Sequence, residues 1–140
     1  MAFSFSNIFK AKETTVLSSD EIEKFDFKGG TKFAKNQTNI VFADIEELGG
    51  FPYLKTIIIG DTKVNIKRTG CTVSFIFSNE EITLTSDNTH LESNKIKNTN
   101  AFFTEIDFEL NENEAKKIQS KKVIDVKYDF KNTISIFKTI

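Results

Sequence analysis

The side chains in this sequence that could support catalysis or metal binding are few and widely spaced. His90 is the only histidine and Cys71 the only cysteine. A histidine-based catalytic triad, or a zinc site built from Cys and His ligands, needs more such residues or a closer spacing. Asp87, His90 and Glu92 lie near one another, but in a long polar stretch where such a grouping arises by chance. The sequence therefore indicates no metal site and no cofactor.

Cys71 is the remaining candidate nucleophile. It follows Gly70 at the start of a predicted strand, where Lys67 and Arg68 are near in sequence. Strand alternation places its side chain on the same face as the apolar residues at 73 and 75. A reactive thiolate needs an electropositive and partly open setting, so this position predicts a buried, inert thiol.

An acidic row offers the last enzymatic interpretation. Glu105, Asp107 and Glu109 alternate along one predicted strand. Side chains two positions apart on a strand lie roughly 6.5–7 Å apart, which is within the range that paired catalytic carboxylates use. The same row is also the ordinary solvent face of an antiparallel sheet. We therefore expect a protein that is not an enzyme.

Charge and glycine spacing argue against binding to phosphate or nucleic acid. The 140 residues contain 19 Lys plus Arg and 20 Asp plus Glu, for a net charge of -1. Arg68 is the only arginine, although arginine is favoured wherever a phosphate is held by two hydrogen bonds. Neither glycine pair, Gly29-Gly30 or Gly49-Gly50, has the frame of a phosphate-binding loop. No nucleic-acid partner is predicted.

The location is predicted to be cytoplasmic. No stretch approaches the eighteen or so apolar residues of a membrane-spanning helix, and the first twenty residues lack the apolar run of a signal peptide. A single cysteine also allows no internal disulfide. We expect no integral membrane segment.

The elements that would position these side chains are mostly strands. Apolar and polar residues alternate repeatedly from residue 40 onwards, and glycine or Asn-rich turns separate the runs. This pattern predicts an antiparallel β-sandwich or a partly open β-barrel, a meander of about seven or eight strands. Asn111 and Glu114 form a predicted capping box for a helix of about ten residues before the last two strands.

The chain is predicted to have two parts. Residues 13–140 form a single β-rich domain, and residues 1–12 form a short amphipathic segment with Phe5, Ile8 and Phe9 on one face of a helical turn. That segment suits weak contact with a membrane surface or a partner, and deleting it should lower the melting temperature by only a few degrees. Residues 18–25 read as a separate capped helical turn with an acidic start.

Two functional hypotheses from different classes follow. The first is a non-catalytic module that binds a protein partner or a second copy of itself. The second is a small barrel or sandwich that carries a hydrophobic ligand among its 15 phenylalanines. In the run from 57 to 59, at least one isoleucine must face away from the core that holds its neighbours. Together with outward-facing Ile76 and Phe103, we expect Ile58 to form an apolar interaction patch.

Overall fold

A computed structural model of the protein describes residues 30–140. The segment 1–12 and the helical turn predicted at 18–25 lie outside the described residues. The described part contains eleven strands and one helix. In chain order they are β1 Lys32–Lys35, β2 Asn39–Leu48, β3 Phe51–Gly60, β4 Asn65–Ile66, β5 Thr72–Ile76, β6 Glu81–Thr85, β7 Leu91–Glu92, β8 Asn94–Lys95, β9 Phe102–Glu109, α1 Glu112–Ser120, β10 Asp125–Asp129 and β11 Ile134–Thr139.

Nine of these strands form one curled antiparallel sheet in the order β6-β5-β10-β11-β1-β2-β3-β9-β8, and β4 and β7 form a small pair. The sheet curls into a half-barrel whose two ends approach each other. An isolated bridge joins Ser86, just after β6, to Phe108 of β9, and the Asp87 N–H donates to the Asp107 carbonyl at 2.7 Å. The predicted fold class, antiparallel and β-rich with a partly open barrel, is confirmed.

The sequence did not predict where the last hairpin lies in the sheet. Strands β10 and β11 insert between β5 and β1, so the C-terminal hairpin occupies the middle of the sheet. Strand β1, which lies in a mostly polar stretch of sequence, is the neighbour of β11 on its other side. Strand β4 has only two residues, although apolar and polar residues alternate from 63 to 67, and Val64 just before it is buried.

Helix α1 follows β9 at the predicted place. The Asn111 side chain accepts from the Glu114 N–H at 2.7 Å, and the Glu114 side chain accepts from the Asn111 N–H at 2.9 Å. This is the capping box that the sequence indicates. Ala115 and Ile118 are the buried side chains of the helix. No helix in residues 30–140 has the length and apolar character needed to span a membrane.

The concave side of the sheet is filled by aromatic rings packed around Tyr128. Its ring contacts Phe130 at a centroid distance of 5.5 Å, Phe137 at 5.7 Å and Phe108 at 6.2 Å. The Tyr128 side chain is fully buried, and its hydroxyl has no hydrogen-bond partner among the described residues. The nearby Thr56 hydroxyl instead donates to the Ile106 carbonyl at 2.8 Å. Burial raises the pKa of Tyr128, and the Thr56 side chain lies close enough to lower it by a smaller amount, without a hydrogen bond of normal geometry between the two hydroxyls.

Because a buried hydroxyl without a partner destabilises the fold, Tyr128→Phe is expected to raise the free energy of unfolding by about 1 kcal/mol. The matched control is Tyr53→Phe, since the Tyr53 hydroxyl donates to Glu46 Oε1 at 2.7 Å and its loss should be slightly destabilising. Urea unfolding of both variants gives the direction of each change in the free energy of unfolding. A loss of stability in Tyr128→Phe larger than that in Tyr53→Phe would contradict the expectation.

Candidate interaction surface

The most exposed apolar side chains of the described domain lie at the tip of the β2–β3 hairpin. Leu48 is 75% exposed and Phe51 is 76% exposed, on either side of Gly49 and Gly50. Both glycines have positive φ, +62° and +85°, which is the backbone of a tight hairpin turn that twists with its strands. The turn therefore places two large apolar side chains in the solvent at the tip of the β2–β3 hairpin.

An open cleft of about 510 Å³ lies beside this tip. Leu48, Phe51, Pro52, Tyr53, Phe108 and Leu110 form its apolar part. Asp87, Asp107 and Glu109 form its acidic part. We call the cleft together with the exposed Leu48 and Phe51 side chains the hairpin surface. It combines apolar contact area with carboxylates, and none of the residues within 30–140 that line it is a lysine or arginine.

Asp107 is the most unusual carboxylate of the hairpin surface. Its Oδ1 atom is buried and has no hydrogen-bond partner among the described residues. Burial raises the pKa of Asp107, and the charges of Glu105, Asp87 and Glu46 raise it further, against a lowering by Lys55. A cationic group placed against this oxygen would relieve both the desolvation and the repulsion.

More carboxylates surround the tip on its other side. A neighbouring cleft that shares Pro52 is lined by Glu46, Glu47 and Glu112, and Lys116 is the one basic residue among its described lining residues. The Tyr53 hydroxyl donates to Glu46, which with burial and nearby carboxylates raises the pKa of Tyr53. The apolar tip therefore stands in a strongly acidic environment.

The structure separates the three residues of the predicted patch. Ile58 has no exposed surface and belongs to the main core, beside Val41 and Leu54. Ile76 and Phe103 are partly exposed. They lie on β5 and β9, which are the second and the second-last strands in the sheet order. Ile58 therefore contributes nothing to the surface of the described domain.

Of the side chains considered for chemistry, Asp87, Asp107 and Glu109 line the hairpin surface, whereas Cys71, His90 and Glu92 do not. The Cys71 side chain is buried, and burial raises the pKa of its thiol to about 12. His90 approaches Glu92 at 3.9 Å, and both side chains are more than 60% exposed. Among residues 30–140, no three His, Cys, Asp or Glu side chains are grouped as metal ligands.

A second surface lies where the sheet has a gap. Strand β11 pairs with β1 only at residues 138 and 139, so the first half of β11 borders an open groove of about 610 Å³. Ile134 is 59% and Ile136 is 55% exposed beside it. The Asn36 side chain donates to the Ile136 carbonyl at 3.5 Å. Apart from the two isoleucines, polar side chains form most of the lining, so this groove offers less apolar contact than the hairpin surface.

Comparison of the chain with protein-family models, with curated proteins and with solved structures finds no match.

Sequence reasoning missed the hairpin surface, although a signal was present. Leu48 and Phe51 flank a Gly-Gly pair, and an apolar residue on each side of a two-residue turn is a candidate for exposure. The approach of Asp87 and Asp107 to this turn was not visible in the sequence, because it depends on the bridge between residues 86 and 108.

Proposed function

We propose that this protein is a non-catalytic interaction module that binds a protein partner through the hairpin surface. The observation that carries the proposal is the pair of three-quarters exposed side chains, Leu48 and Phe51, held by a tight turn within an acidic cleft. Large exposed apolar groups are costly to keep in water and mark contact surfaces. Aromatic residues at the centre of such surfaces often supply most of the binding energy.

The charge of the hairpin surface selects the class of partner. Asp87, Asp107 and Glu109 line the cleft, so a partner that brings lysine or arginine beside an apolar side chain matches it. Phosphate groups and anionic lipid headgroups would meet repulsion from the same carboxylates. We therefore infer a basic protein segment with an apolar anchor residue.

A ligand carrier is the second candidate, because one observation favours it. The buried Tyr128 hydroxyl is the kind of polar group that orients a guest inside an apolar pocket. Its ring, however, packs against three aromatic rings that occupy the space a guest would need. The dense packing supports the interaction module more than the carrier.

The test compares Phe51→Ser with a matched exposed apolar position, Ile140→Ser, since Ile140 is 65% exposed at the C-terminal end of the described domain. Tagged chains are expressed in the source cells and purified, and the retained molecules are identified by native mass spectrometry. Wild type and Ile140→Ser should retain the same basic protein, and Phe51→Ser should bind it about 30-fold more weakly. Higher salt should weaken the complex further.

Equal retention by all three chains would refute the hairpin surface as the binding site. A small molecule released from wild type, with no protein retained, would favour the carrier instead. Because Phe51 is mostly exposed, Phe51→Ser should keep the thermal stability of wild type, which separates lost binding from lost folding.

A further inference from the structure

The sheet carries a second apolar cluster on the side opposite to its core. Val41 and Ala43 of β2 and Leu54 and Ile58 of β3 belong to the main core cluster, so the residues between them face the other way. These outward residues are Ile40, Phe42, Ile57 and Ile59, and we call them the outer face. They are only 0–3% exposed, although they point away from the core.

The described apolar residues from outside β2 and β3 that pack against the outer face come from one region of the chain. Ala101, Ile96 and Phe103 pack against the cluster. They come from the β8–β9 region, where Phe103 pairs with Ile59 at the Ile40 end of the face. Phe42 and Ile57 pair with each other two positions further along the strands, roughly 7 Å away. Phe42 and Ile57 are nevertheless only 1% and 2% exposed.

The chain enters the domain at that same end. The Thr31 N–H donates to Asp44 Oδ2 at 2.9 Å, and its hydroxyl donates to Asp44 Oδ1 at 2.8 Å. Asp44 is two positions from Phe42 on β2, so its side chain lies on the same side of the sheet. The described chain therefore begins beside the far end of the outer face.

We propose that residues 18–27 of this chain pack over the outer face. Ile22 and Phe25 have the i, i+3 spacing of one helix face, and four carboxylates with a single lysine surround them. Lysines stand around the outer face, because Lys32 pairs with Phe42, Lys35 pairs with Ile40, and Lys55 is two positions from Ile57. An acidic segment with an apolar stripe fits an apolar face bordered by lysines. Carboxylates share this side of the sheet, since Glu105 is opposite Ile57, and Asp44 and Asp107 are both opposite Lys55.

The test measures how fast a thiol reagent labels Ile57→Cys in the full chain, with the buried Cys71 as an internal reference for a core thiol. With the native segment, residue 57 should react as slowly as Cys71. Adding Phe25→Asp should raise the rate at residue 57 about tenfold or more and leave Cys71 unchanged, because only the cover is lost. The matched control Phe9→Asp, outside residues 18–27, should change neither rate.

Continued protection of residue 57 in the Phe25→Asp chain would overturn the proposal, and so would protection that grows with protein concentration, which would identify a second copy as the cover. If Phe25→Asp also exposes Cys71, the domain has unfolded, and the proposal is then tested with charge-reversal variants of the same segment. Glu21→Lys with Glu23→Lys should then speed labelling of residue 57 several-fold at low salt, whereas Glu13→Lys should not. No difference between those two variants would also overturn the proposal.

Discussion

The Ile58→Lys variant is expected to be unfolded at room temperature. Ile58 has no exposed surface and lies in the main core. A lysine there must either bury its ammonium group or drive the β3 strand apart from its neighbours, and an unpaired buried charge is among the most destabilising changes known. The expected loss of about 5 kcal/mol or more equals most of the stability of an ordinary domain.

The measurement is far-UV circular dichroism with urea unfolding, beside the control Ile134→Lys. Ile134 is 59% exposed on β11, so the same substitution there should change the free energy of unfolding by less than about 0.5 kcal/mol. A cooperative, wild-type-like transition for Ile58→Lys would mean that its side chain reaches water. In that case the placement of the β3 core face would be wrong.

Strand alternation at Ile57, Ile58 and Ile59 predicts that neighbouring side chains face opposite sides, but not which side is the core. The consecutive isoleucines at 57, 58 and 59 require a change of face, and the sequence states this correctly. It does not say which side holds the main core. In the structure Ile58 packs in the core on the concave side of the sheet. Ile57 and Ile59 lie on the outer face, where they are also buried. A sheet with apolar residues on both faces leaves the parity of a single strand undecided.

Capping and alternation patterns predicted most strands and the helix, but they did not predict which distant strands pair. The capping box of α1 and the strands on either side of it follow from residues within a few positions of one another. The insertion of β10 and β11 between β5 and β1 joins segments up to about a hundred residues apart. No local pattern fixes such a neighbour. Strand β1 was missed for a related reason, because Ala34 is its only fully buried residue and four residues are too few for a clear alternation.

The residues chosen for the apolar patch and the most exposed apolar residues of the described domain lie in different places. An exposed apolar patch was expected, and exposed apolar residues do occur at Leu48 and Phe51. The prediction chose residues by strand alternation and so looked within strands, whereas the exposure lies at a turn. A hairpin tip extends beyond the neighbouring strands of the sheet, so those strands do not cover its side chains.

Gly60→Ala is expected to be the most damaging of the small substitutions. Gly60 has φ +155°, a conformation that residues with a side chain rarely adopt. A Cβ there would overlap the Thr38 carbonyl oxygen and Asn39 Oδ1, and would lie 2.6 Å from the Asn39 Cα. Two of these atoms belong to the backbone, so the collision cannot be relieved by a change of rotamer.

The Asn39 side chain that would be displaced is itself a junction of the fold. It is almost fully buried, its amide donates to Asp61 Oδ1 at 2.9 Å, and its oxygen accepts from the Thr62 N–H at 2.9 Å. Moving it therefore breaks the hydrogen bonds that tie the start of β2 to the residues after β3. Strain and lost bonds together should cost about 3 kcal/mol or more, equivalent to a fall of roughly 10 °C in melting temperature.

Gly50→Ala provides the matched control for this effect. Gly50 also has a positive φ, +85°, but a Cβ there would meet nothing within 4 Å. Gly50→Ala should therefore lower the free energy of unfolding by only about 1–2 kcal/mol, because alanine is strained at a positive φ. Thermal unfolding of the two variants therefore separates collision from backbone strain. Equal losses in both would show that the close approach of Asn39 to Gly60 relaxes at little cost, and that β2 and β3 are less tightly joined at this end than their contacts indicate.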